Sequence, residues 1–304
     1  MKFQKNIYKR RGSSVSKIVI TGATGELGQL VVQNLLTKVS ASEIAVSVRN
    51  VEKASAFAEQ GIEVRYGDYE DPASLEKSFS GASKLLLIST PENEPVARIR
   101  MHVNAIEAAK KAGVKHIAYT GFAFVDKGAF PSLGNVHLAT EYTIRVSGIP
   151  FTILRNAFYQ EVFVNPALQS FIDSGSIVTS AGEGRINTVT RNDLALAAAT
   201  VLAEDGHENR VYELASAVAW NYDDLAEILS DVSGKTVTHQ YVTDSEAFNG
   251  MVIAGLPEGL ARFQIALYQS IASGNEGNTS GDLEKLIGRK PTSIRESITQ
   301  FFNK

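Results

Sequence analysis

The sequence predicts an α/β protein built on a parallel, doubly wound sheet. Three observations predict it: short apolar runs alternate with amphipathic stretches from Ser16 to about Arg155; the runs lack strict polar alternation; and a run of spaced glycines closes the first of them. Regular strand–helix alternation implies parallel strands joined by right-handed crossovers. Apolar runs without alternation suit strands covered on both faces.

The strand-like runs, in order, are Lys17–Thr21, Ile44–Val48, Ile62–Tyr66, Leu85–Ser89, His116–Thr120 and Phe151–Leu154. Gln29–Thr37 reads as the first helix. Met101–Ala112 reads as another, with Val103, Ile106 and Ala109 on one face and Lys110 and Lys111 outside it. Gly113 then stops it. After Arg155 the rhythm breaks, because Asn156–Phe163 is aromatic and polar and Ser174–Gly184 is rich in glycine and serine. A helix over Arg191–Glu204 and a strand over Val211–Leu214 are expected to rejoin the main sheet. Tyr222–Val232, Val237–Tyr241 and the remainder to Lys304 form a smaller α/β lobe, with Ser273–Gly281 as a mobile loop. The expected organisation is therefore a basic, disordered leader over 1–16, a main domain over 17–155 and a smaller substrate lobe over 156–304. Of the last, 186–215 returns to the main sheet.

A chain of 304 residues with 44% apolar and 21% charged residues can bury a core without staples. It has no cysteine, which removes disulfides, thiolate metal sites and cysteine nucleophiles, and suits a cytoplasmic setting. The net charge of -3 offers no general attraction to nucleic acid or to an anionic membrane. No apolar run approaches the ~20 residues of a membrane span. The leader carries Lys2, Lys5, Lys9, Arg10 and Arg11, with Lys17 just beyond it, but no apolar segment follows, so it is not a secretory signal.

The loop Thr21-Gly22-Ala23-Thr24-Gly25-Glu26-Leu27-Gly28 sits where the first strand gives way to the first helix. That placement suits a pyrophosphate. The first glycine permits a tight turn, the second a close backbone approach, and the third close packing of a helix whose N-terminus faces the anion. The main domain therefore reads as a Rossmann-type NAD(P)-binding unit. The second strand ends in Arg49 where NAD-binding sites usually carry a carboxylate, and Glu43 and Glu52 flank the position without occupying it. A guanidinium there forks onto a 2′-phosphate, which favours NADPH and leaves NADH open.

Several catalytic patterns are missing. No tyrosine has a lysine four residues on; at Tyr142 that slot holds Val146. There is no Ser-His-Asp order and no carboxylate or histidine cluster at metal spacing. His102, His116, His137, His207 and His239 are scattered and read as packing or surface residues, His137 standing out because it opens the helix that carries Tyr142. A reductase whose acceptor is already electrophilic needs no strong protein acid, since the cofactor carries the chemistry. Quinones and cationic dyes are acceptors of that kind.

The sequence also resembles the NmrA-like group of atypical short-chain dehydrogenase/reductases, in the branch of triphenylmethane reductases and type 2 NAD(P)H:quinone oxidoreductases. The resemblance runs from about Lys17 to Phe302. It rests on TGATGELG (21–28), SVRNVEKA (47–54), GDYEDPASL (67–75), KLLLIS (84–89), AGVKHIAYTG (112–121), HLATEY (137–142) and LRNAFY (154–159). TRNDLALAAATVLAEDGHEN (190–209) and LEKLIG (283–288) add to it. It implies cofactor contacts from Gly22, Ala23, Thr24, Gly25, Glu26, Leu27, Gly28, Arg49, Asp68, Ser89 and Thr90. It also implies a substrate pocket at Asn156–Tyr159. Quinone-reductase relatives carry lysine where this chain has Tyr142, whereas triphenylmethane reductases carry tyrosine. Tyr142, His137, Asn156 and Tyr159 are expected to position a quinone or a dye-like aromatic acceptor in a metal-free monomer or homodimer. The alternative is a redox-sensing regulator that binds dinucleotide without turnover. A sugar-nucleotide epimerase is disfavoured, because it needs the missing Tyr-Lys pair.

Overall fold

A computed structural model describes residues 16–303. The leader read over 1–16 falls outside them except for Ser16, which is exposed. In chain order the first strands are β1 (Lys17–Thr21), β2 (Ile44–Val48), β3 (Glu63–Tyr66), β4 (Ala82–Leu87), β5 (His116–Phe122) and β6 (Phe151–Asn156). They are followed by β7 (Phe158–Tyr159), β8 (Ser176–Thr179), β9 (Thr188–Val189), β10 (Arg210–Leu214) and β11 (Thr238–Tyr241). Between them lie α1 (Glu26–Leu36), α2 (Ser55–Glu59), α3 (Pro72–Ser78), α4 (Pro95–Lys111), α5 (Pro131–Val146), α6 (Ala167–Ser174), α7 (Arg191–Ala203) and α8 (Tyr222–Ser233). The chain closes with α9 (Asp244–Ile253), α10 (Glu258–Ala272), α11 (Asp282–Ile287) and α12 (Ile294–Phe302).

Seven parallel strands form one sheet in the order β10-β6-β5-β4-β1-β2-β3. The chain winds outward from β1 in one direction and then from β4 in the other, the doubly wound arrangement that opens a crevice at the carboxyl ends of β1 and β4. Successive strand residues feed two cores. Ile18, Ile20, Val46, Leu86 and Ala118 pack with α1 and the alanine-rich α7 on one face. Val19, Ala45, Leu85, Ile117 and Tyr119 pack with α3, α4 and Ile144 of α5 on the other. Outside the main sheet, β8 pairs with β11 and β7 with β9, both parallel.

The strand runs read from sequence are all present, and β2 keeps its expected bounds. Three local readings need correction; His137 does not open its helix, since α5 begins six residues earlier at Pro131. The fourth helix begins at Pro95, six residues ahead of the expected Met101. Its first turn leaves Val96 in solvent, 69% exposed, and so does not continue the apolar period. What starts it is the Glu94 side chain, which accepts the amides of Val96 and Ala97 while proline fills the first helical position. The expected mobile loop Ser273–Gly281 instead contains a 3₁₀ turn at Asn275–Gly277, pinned by Glu276. That side chain is buried and accepts hydrogen bonds from the Phe130 amide, at 2.7 Å, and from the Ser270 hydroxyl.

The heart of the polar interior is Arg155 at the end of β6. Its Nε and Nη2 lie 2.9 Å from the two carboxylate oxygens of Glu141 on α5, and its Nη1 lies 2.7 Å from Glu213 on β10. Asp126 stands 3.0 Å from the same Nη1. With side-chain exposures of 7% and 2%, the Arg155–Glu141 pair is shielded from water. Removing one member of such a pair strands the other charge. Glu141→Ala is therefore expected to lower unfolding stability by about 3–5 kcal/mol, read from the urea midpoint. A loss below about 1 kcal/mol would show that the cluster does not brace the fold.

Candidate active site

The glycine loop takes its shape from two steric demands. Gly22 has φ +62°, a conformation that side chains disfavour. A Cβ at Gly28 would lie 2.3 Å from the Gly22 carbonyl oxygen and 2.7 Å from Ala23 Cα, so the first turn of α1 rests directly on the loop. Gly25 closes the turn by donating to the Gly22 carbonyl at 3.0 Å, and caps α1 without a side chain. Ala23 and Leu27 are buried, which anchors the loop, while Thr24 and Glu26 are exposed. Among the described residues the amides of Glu26 and Leu27 have no acceptor. Free first-turn amides and the helix dipole together form an anion site.

Parallel strands end on one edge of the sheet, so Arg49 after β2 and Asp68 after β3 stand on the same edge as the loop. Arg49 is exposed and makes no hydrogen bond or ion pair among the described residues. Asp68 is half-buried. Its Oδ1 accepts the Glu70 amide and its own amide donates to Ser74 Oγ, which fixes the turn.

Beyond β4 the chain is held by histidine. His102 Nε2 accepts the Thr90 amide at 3.1 Å and faces Ser89 Oγ at 3.2 Å. Because Nε2 accepts, the ring proton sits on Nδ1 and is donated to Thr140 Oγ1 at 2.8 Å, which in turn donates to the Val136 carbonyl. Burial, reinforced by the Arg98 charge, pulls the His102 pKa down to about 3. The Ser89 amide donates to Thr120 Oγ1 on β5. Ser89 and Thr90 are thus placed by β5, α4 and α5 together.

A cavity of about 290 Å³ opens beside this segment. Ser89, Thr90 and Arg98 form one wall, Phe122 and His137 the second, and Asn156, Phe158 and Tyr159 the third. His137 is buried, with Nδ1 2.8 Å from the Tyr119 hydroxyl and its ring stacked on Phe122 at 6.2 Å. Burial first, then the charge of Arg98, holds it well below the usual histidine range, so it is neutral. Burial raises the pKa of the Tyr119 phenol, which is neutral too. Phe158 meets Phe122 edge to face at 5.0 Å, and Arg191 lies over the Tyr159 ring at 4.5 Å. Asn156 Oδ1 and Arg98 Nε are buried with no hydrogen-bond partner among the described residues. Unpaired buried polar atoms facing a cavity are what a ligand would satisfy.

Of the four residues expected to position an acceptor, His137, Asn156 and Tyr159 come together here. Tyr142 does not. It is 64% exposed and lies outside the cavity. Five residues separate it from His137, and at about 100° per residue that turns it away from the buried face. Of the aromatic residues near the pocket, Phe122, Phe158 and Tyr159 line the cavity, whereas Phe124 and Phe163 do not. Arg98, Tyr119 and the ligating part of His102 were not anticipated from sequence. An α4 begun at Glu94-Pro95 would have put Arg98 and His102 one turn apart on one face.

The profile of the NmrA-like family matches residues 14–301. Quinone oxidoreductase 2 of Escherichia coli strain K12 is 42% identical over 286 residues, covering 94% of this chain and 99% of that protein. Among solved structures, the Citrobacter sp. triphenylmethane reductase complexed with NADP(H) is 54% identical. It superposes with a TM-score of 0.88 over 93% of this chain and 99% of its own. The E. coli NADPH-dependent quinone oxidoreductase complexed with NADPH is 42% identical, with a TM-score of 0.88 over 94% and 100% of the two chains.

The buried histidines have a consequence for stability. In the unfolded chain a histidine titrates near 6.5, but folded His102 stays neutral down to about 3. Its contribution is complete above pH 6.5 and is lost as the pH falls from there toward 3, because the unfolded state then binds the extra proton. The slope is at most about 1.4 kcal/mol per pH unit for each such group. Urea midpoints should fall between pH 7 and pH 4.5, and fall less steeply in His102→Gln. Identical slopes in the two proteins would contradict the neutral, buried imidazole.

Proposed function

The chain belongs to the NmrA-like family, and from that premise we propose that it is an NADPH-dependent reductase passing hydride directly to a quinone or a triphenylmethane-dye-like conjugated electrophile. The observation that carries the reading is the cavity beside the glycine loop. It is walled by aromatic rings and by polar groups that are neutral or cationic. No carboxylic acid lines it, so it suits an acceptor that takes hydride without prior protonation.

When bound, NADPH supplies the hydride. The residues present fit it. A loop into which Gly28 admits no side chain, with free first-turn amides, suits a pyrophosphate across Gly22, Ala23, Thr24, Gly25, Glu26, Leu27 and Gly28. Arg49, exposed at the same edge, is assigned to the 2′-phosphate, and Asp68 to the adenosine end. Ser89 and Thr90 flank the nicotinamide half. His137, Asn156 and Tyr159 line the cavity and orient the acceptor. Tyr142 lies outside the cavity and is given no role in this reading. The likeness to proteins named as reductases, two of them solved with NADP(H), favours turnover over the regulatory alternative. The reading carries with it a cytoplasmic monomer or homodimer whose partner is a small molecule, not nucleic acid or membrane. Among the described residues no helix is long and apolar enough to cross a membrane, and no cluster of metal-ligating side chains occurs.

The test follows NADPH absorbance with purified protein and a panel of quinones and triphenylmethane dyes at micromolar cofactor. Oxidation coupled to at least one acceptor is expected; a blank panel would sink the reading. The cofactor assignment has its own check. Arg49→Ser should weaken NADPH binding about 10- to 100-fold, the worth of hydrogen bonds to a charged group, and leave NADH binding nearly unchanged. Equal losses for both cofactors would remove Arg49 from the 2′-phosphate.

A further inference from the structure

Arg98 differs from the other sheltered arginines of the protein. Arg65 faces Glu63, Arg155 faces three carboxylates, and Arg191 faces Glu26 and Glu161. Arg98 forms no ion pair among the described residues. Its Nη2 donates to Ser89 Oγ at 2.8 Å, its Nε is buried and unpartnered, and Glu92 acts on it only at a distance. It lines the cavity together with Asn156 and Tyr159. A guanidinium keeps its charge in a protein, so the acceptor cavity holds an uncompensated cation beside neutral imidazole and phenol groups.

We propose that Arg98 makes this cavity selective for acceptors that become anionic on receiving hydride, quinones ahead of cationic dyes. The inference rests on the reductase reading above. In the quinone reaction the carbon–hydrogen bond at the dihydronicotinamide breaks, and hydrogen moves with its electron pair to one quinone carbonyl oxygen, forming an O–H bond. A pair of π electrons is displaced onto the far carbonyl oxygen. The cofactor is oxidised, the quinone is reduced to a hydroquinone monoanion, and water later protonates that oxygen. A fixed N–H donor in a water-poor cavity stabilises the charge as it develops. A triphenylmethane cation follows the opposite course. It meets the guanidinium as a like charge on entry and loses its charge as hydride arrives, so the repulsion falls on binding.

The two acceptor classes therefore report different constants in Arg98→Met. For a quinone, kcat should drop about 100-fold, the usual loss of one oxyanion donor, and Arg98→Lys should restore part of it. For a cationic dye such as crystal violet, KM should fall and kcat/KM should not drop, because the like charge met on entry is gone. Equal losses with both acceptors, in a variant that melts normally and still binds NADPH, would overturn the proposal and leave Arg98 a packing residue. A second readout does not need turnover. 4-Nitrophenol bound in the cavity should ionise about one to three pH units lower in the wild-type protein than in Arg98→Met, followed by the phenolate absorbance. Equal ionisation in the two proteins would refute the cationic cavity. A wild-type protein that shifts the phenol yet reduces no acceptor would refute the reductase reading alone.

Discussion

Arg155 is the charge around which one end of the main sheet is assembled. It lies at the carboxyl end of β6, and its carboxylate partners come from α5, from β10 and from the loop after β5. Buried charge is tolerated only when each group is met with good geometry. That condition ties α5 to the sheet and β10 to its edge. Glu213 then uses its second oxygen to accept the Phe124 amide, where the backbone has φ +54°. A left-handed phenylalanine costs energy and persists only where its surroundings dictate it. The ion cluster thus also shapes the loop that leads from Phe122 to α5 and so places His137.

The crevice is built from two unlike kinds of structure. On the loop side the demands are steric and made by backbone: Gly22 for its φ, Gly28 for the 2.3 Å approach. On the cavity side they are made by side chains handing hydrogen bonds from strand to helix, Thr90 to His102 to Thr140 to Val136. Aromatic rings continue the cavity wall outward, from Phe122 to Phe158 to Phe130 and on to Phe263 of α10. Edge-to-face rings hold relative orientation as well as contact, which transmits the position of the outer helices to the wall of the cavity.

What was legible in the sequence was local. The β1 run, its glycines and the β2 run ending at Arg49 are bounded by their own chemistry, and the strands formed where the apolar runs lie. What was not legible depended on boundaries or on distant partners. The first turn of α4 exposes its valine and breaks the apolar period, which hid the helix start and with it the place of Arg98. Tyr142 seemed functional because it shares a motif with His137, but the helical turn sends the two to different faces. Ser273–Gly281 has the composition of a loose loop. Its order comes from one carboxylate, Glu276, whose partner amide lies 146 residues away, and no window of sequence contains both.

That long-range bond also bears on the order in which the site is completed as the chain is made. The glycine loop and the strands around it need residues up to about Ala203, where α7 finishes covering α1. Phe158 of the cavity wall packs edge to face on Phe130, whose unusual backbone (φ +29°) is held by a side chain from residue 276. A nascent chain can therefore assemble the half assigned to the dinucleotide well before the ribosome has delivered the residue that finishes the half assigned to the acceptor.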